Sequence, residues 1–139
     1  MNSPTLVDTG AIVALIDQRD RHHAWAKASF RSLSSDLVTC EAVLSESFHL
    51  LRKAPNGREI LREFLRLDML KSGFDLNSEQ TAVLALLEKY HDTPMDFADA
   101  CLVRMAETTR DSKVWTIDSD FKIYRLSNRR IVPLLAPWN

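Results

Sequence analysis

Hydrophobic and polar positions along the chain change period several times. Thr5–Val7 is a short apolar, β-prone run that fits a first buried strand. After Gly10 come AIVALI and then HHAWAKASFRSL, with apolar residues at helical rather than alternating spacing. Residues 37–38 fit a brief second strand. Leu44, Phe48 and Leu51 fall on one stripe and predict a helix over 41–53, stopped by Pro55-Asn56-Gly57. Ile60, Phe64 and Leu67 predict another over 59–70, ended by Ser72-Gly73. Residues 74–76 are a candidate strand. Asn77 with Gln80 resembles a capping box for a helix reaching about residue 90, and Thr93-Pro94 breaks the chain again. Phe97–Thr108 reads as helix, 114–117 as a buried strand, 120–124 as a short helix and 131–132 as a last strand. Short apolar strands alternating with helices imply an α/β fold whose parallel sheet is covered on both faces. No repeat, low-complexity tract or linker divides residues 1–139, which read as one domain.

Composition narrows the partners only slightly. Lys+Arg is 18 against Asp+Glu 19, so a nucleic-acid ligand would need a local basic patch rather than a global field. Arg52, Lys53 and Arg58 around one loop, and Lys122, Arg125, Arg129 and Arg130 near the end, are candidates. Apolar runs fall far short of the ~20 residues of a membrane span, and MNSPT lacks the layout of a secretory signal. Cys40 and Cys101 have no metal-ligand or CxxC spacing and read as buried free thiols. A cytoplasmic protein with no membrane contact is expected.

The chemistry lies in the acids. TLVDTGAI contains the Asp-Thr-Gly of an aspartic protease, but that turn belongs in an all-β, glycine-rich fold. This chain has three glycines, at 10, 57 and 73, and mostly helical periodicity. A phosphatase with Asp8 as nucleophile would need a second Asp where Gly10 stands. Asp8 instead follows the first strand at the end where open α/β sheets place ligands; Thr9 could cap the next helix and Gly10 permits close backbone approach. The arrangement recurs at VWTIDSDF, where Asp118 follows a strand, Asp120 comes two residues later, and Asp118 or Ser119 could cap a helix. In MDFADACLVRMAE, Asp96 is the natural helix N-cap and Asp99 lies in the first turn among apolar neighbours. In CEAVLSESFHLL, Glu46 lies inside an amphipathic helix, whereas Glu41 is at its start. Converging carboxylates raise one another's pKa unless a cation holds them, and hard oxygen ligands suit Mg²⁺ or Mn²⁺. Such an ion can activate water against a phosphodiester.

Together LVDTGAIVALID, the Glu within an amphipathic helix, MDFADACLVRMAE and WTIDSDF resemble, in order and spacing, a PIN domain. The resemblance covers nearly the whole chain. It implies a three-layer α/β/α sandwich around a mainly parallel sheet, and a Mg²⁺/Mn²⁺-dependent endoribonuclease that leaves a 5′-phosphate and a 3′-hydroxyl. By position it assigns catalytic roles to Asp8, Glu46, Asp99 and Asp118, metal contacts to Asp8, Asp99, Asp118 and Asp120, and support to Thr9, Thr116 and Asp96. Relatives of this size include the VapC toxins, which implies an RNA substrate, an antitoxin partner and a homodimer. The alternative is a PIN-like RNA-binding or regulatory domain with little nuclease activity.

Overall fold

The computed structural model describes residues 3–138. Five strands form one sheet: β1 (Thr5–Val7), β2 (Leu37–Thr39), β3 (Lys71–Ser72), β4 (Lys113–Trp115) and β5 (Leu134–Leu135). Their order across the sheet is β3-β2-β1-β4-β5, and every neighbouring pair is parallel. The central strands carry Leu6, Val7, Val114 and Trp115, all buried, because helices cover both of their faces. The edge strands β3 and β5 are two residues long, which leaves little open backbone for another chain to pair with.

Six helices flank the sheet in two groups. The first is α1 (Thr9–Ile16), α2 (His23–Ser32), α3 (Glu41–Leu50) and α4 (Gly57–Arg66), with α1 packed on the other three. The second is α5 (Leu76–Lys89) and α6 (Phe97–Thr108), packed as a pair with α6 against β1 and β4. Single 3₁₀ turns at Leu51–Lys53 and Ser119–Lys122 complete the elements. This is the three-layer α/β/α arrangement expected. Cys40 and Cys101 are buried and free, and none of the described helices is long and apolar enough to cross a membrane.

Several expected elements differ in their bounds. The third strand is Lys71–Ser72, not 74–76: Gly73 still donates to the Thr39 carbonyl, but Phe74 has left the sheet and packs against the core. The next helix begins at Leu76, capped by the Asp75 carboxylate on the Asn77 amide, so Asp75 and not Asn77 is its N-cap. The last strand is Leu134–Leu135, not 131–132. Ile131 is exposed in an isolated antiparallel bridge to Arg125, and the Pro133 carbonyl, accepting from Val114, sets the register that follows. Helix α4 also stops at Arg66 rather than 70, because Asp68 turns into the left-handed region at φ 57° and the Met69 amide returns to the Phe64 carbonyl.

The topology fixes where a site can form. From β1 the chain crosses to β2 on one side, and β4 later fills the other, so the sheet order reverses between β1 and β4. Connections diverge from that point and leave a crevice beyond the carboxyl ends of the two strands.

Candidate active site

Asp8 lies at the carboxyl end of β1 and is the N-cap of α1. Its Oδ1 accepts from the Thr9 amide at 2.8 Å and its Oδ2 from the Thr116 hydroxyl at 2.7 Å. The same Thr116 oxygen accepts from the Asp118 amide at 2.9 Å, so one hydroxyl joins the turn after β1 to the turn after β4. Thr9 is not the cap; its buried hydroxyl has no hydrogen-bond partner among the described residues. Gly10 serves close approach, as its residue type suggests. A Cβ there would stand 2.5 Å from Ile117 Cγ1, so any side chain would push the two turns apart.

Asp96 and Asp99 cap α6 reciprocally. Asp96 Oδ1 accepts from the Asp99 amide at 2.8 Å, and Asp99 Oδ2 from the Asp96 amide at 3.3 Å. Capping boxes ordinarily place Glu or Gln at the returning position; the shorter Asp reaches back poorly, hence the longer bond. Asp99 Oδ2 also accepts from the Tyr124 hydroxyl at 3.2 Å. Asp118 caps the second 3₁₀ turn, with Oδ1 on the Asp120 amide at 2.9 Å. Asp118 and Asp120 are half-buried, and Asp96 is exposed.

These acids feel one another. Burial, opposed by the Thr116 and Thr9 hydrogen bonds, raises Asp8 from 3.8 to about 6, with further upward pressure from Asp118 and Asp96. Asp99 is pushed to about 8 by burial and then by the charges of Asp96 and Asp8. Asp118 is raised chiefly by burial and also by Asp120. Asp8 and Asp99 have no Lys or Arg partner among the described residues, although each is nearly buried. An unpaired buried carboxylate is costly, and a set of them acts as a sink for a hard cation. In that chemical sense the donors fit Mg²⁺ or Mn²⁺. Among the described residues, however, no three His, Cys, Asp or Glu side chains are arranged as they stand to hold a metal ion.

Glu46 is exposed on α3 and is not among the strongest charges acting on Asp8, Asp99 or Asp118. Three of the seven cations singled out in the sequence donate to main-chain carbonyls: Arg52 to His49, Arg58 to Phe48, and Arg125 to residues 122–124. Lys122, in the turn after Asp118, lies over the Trp138 ring at 4.8 Å. Tyr124 has no counterpart among the sequence candidates. It is fully buried, its ring meets Tyr90 and Phe121 edge-on, and only the spacing of aromatic residues around Asp120 could have drawn notice to it.

The PIN domain family model matches residues 5–126, so the chain belongs to the PIN domain family. Among solved structures it is similar to VapC20 of Mycobacterium tuberculosis, described as a sarcin–ricin loop cleaving toxin. The TM-score is 0.69 at 22% identity, over 86% of this chain and 93% of that one. At that identity the likeness concerns the fold. No curated protein sequence matches the chain.

Proposed function

We propose that this protein is a Mg²⁺- or Mn²⁺-dependent endoribonuclease, and the toxin of a toxin–antitoxin pair. The observation that carries the reading is the meeting of Asp8, Asp96, Asp99 and Asp118 at the β1/β4 crevice, where burial and mutual repulsion raise three of them and no Lys or Arg among the described residues pairs with them. Membership of the PIN domain family supports the nuclease reading, and likeness to a toxin supports the biological one.

In this reading Asp8, Asp99 and Asp118 hold the ion, with Asp120 beside them. Bound there, the divalent ion would offset the carboxylate charge, polarise a phosphoryl oxygen and make an attacking water more acidic. Thr116 keeps Asp8 in one orientation and ties it to the Asp118 turn. Asp96 steadies the start of α6, and Glu46 approaches the scissile phosphate from α3. Lys122 lies in the Asp118 turn, where its charge favours an approaching RNA backbone. An antitoxin and a second copy of the chain are the protein partners this reading expects.

Asp8→Asn and Asp99→Asn should each abolish Mn²⁺-dependent RNA cleavage while leaving the fold intact. The loss should exceed the roughly 10–100-fold that removal of an outer-shell partner costs a metal site. Full cleavage by either variant refutes the assignment. Mn²⁺ should also raise the melting temperature of the wild type but not of a multiple acid-to-amide variant.

A further inference from the structure

Tyr124 is an unusual neighbour for a carboxylate that is to receive a cation. Its side chain is fully buried, and its hydroxyl donates to Asp99 Oδ2 at 3.2 Å. The ring has little freedom to do otherwise. Tyr90 meets it edge-on at 5.2 Å and 70°, and Phe121 at 5.2 Å and 81°. Tyr90 in turn accepts the amide of Arg125 at 2.9 Å, which fixes the backbone beside Tyr124. A buried tyrosine hydroxyl needs a partner, so this aromatic cluster presents one donor at one place.

We propose that Tyr124 is a positioning residue for Asp99: its hydroxyl occupies Oδ2, orients the carboxylate, and reserves Oδ1 for the divalent ion. The proposal rests on the reading of Asp99 as a metal ligand. Two features of the site favour it over a phenol that simply finds an acceptor. The capping bond from Asp96 to the same oxygen is 3.3 Å long, so the Tyr124 hydroxyl is a second hold on that oxygen from a different part of the chain. Tyr124 comes from the segment after Asp118, so it ties the third acid to the fourth as Thr116 ties the first to the fourth. Outer donors of this kind set the orientation and affinity of carboxylate ligands in metal sites generally.

The test is Mn²⁺ binding, read from the paramagnetic resonance signal of free Mn²⁺, for wild type, Tyr124→Phe, Asp99→Asn and the double variant. Tyr124→Phe should bind Mn²⁺ about tenfold more weakly. In the Asp99→Asn background the same change should cost nothing further, since the residue it acts through is gone. Equal binding by Tyr124→Phe, or an equal loss in both backgrounds, overturns the proposal while leaving the acid cluster assigned. A wild type that binds no Mn²⁺ overturns both. Should Tyr124→Phe fail to fold, as judged by its unfolding curve in EDTA, the hydroxyl proton of Tyr124 is followed by NMR in otherwise wild-type protein and in Asp99→Asn. It should move between the two, and an unmoved resonance refutes the link.

Discussion

Two carboxylates in the same crevice are equally buried and very differently held. Asp8 is 6% exposed and Asp99 5%, so solvent exposure does not separate them. Asp8 has a donor on each oxygen, at 2.8 and 2.7 Å, and rises only to about 6. Asp99 has two longer bonds on a single oxygen, at 3.3 and 3.2 Å, and rises to about 8 under the charges of Asp96 and Asp8. Short bonds to the ionised form resist the cost of burial more than long shared ones do. One corner of the site therefore gives up its proton more readily than the other.

The sharpest way to break this contrast is stability without metal. A carboxyl raised on folding stabilises the folded chain while protonated. That contribution is complete below the ordinary value of 3.8, and it is lost as pH climbs through about 6 for Asp8 and about 8 for Asp99. In EDTA the melting temperature should therefore fall between pH 4 and 8. At pH 8, Asp99→Asn should lie above wild type by at least roughly 4 °C, the equivalent of about 1 kcal/mol in a chain of this size. Asp8→Asn should gain less, because Asn cannot accept on both sides as Asp8 does. A larger gain at position 8 reverses the comparison.

A smaller effect is expected where the two turns touch. Gly10→Ala places a Cβ against Ile117 and should cost roughly 1–3 kcal/mol, read as a lower melting temperature. Ile117→Ala in the same chain should recover part of that loss. If it recovers none, the contact is not what limits residue 10. The smallest effect on stability belongs to Glu46→Gln. Glu46 is exposed, so unfolding should change by less than about 0.5 kcal/mol while RNA cleavage falls. Unchanged cleavage would remove Glu46 from the site.

The order of elements was legible because the central strands are apolar on both faces and the helices carry apolar stripes. Both are local patterns, and β1 and α6 were read to their final residues. The edges were not legible. Lys71–Ser72 is exposed and polar, so nothing in its side chains signals a strand, while apolar Phe74 packs from a loop and misled the reading. At the site, Asp8, Asp96, Asp99 and Asp118 were visible because each stands beside a strand end or helix start.

Chemistry-bearing residue types at recognisable boundaries were thus determined by the sequence alone, since helix caps and strand ends are set by neighbours a few residues away. Only the tertiary structure decided which acids face one another, that Thr116 bridges 108 residues to Asp8, and that Tyr124 reaches back 25 residues to Asp99. It also decided that Glu46 stands exposed. Those relations depend on strand order and on how closely Gly10 lets two turns approach, and no local pattern of hydrophobic and polar residues encodes either.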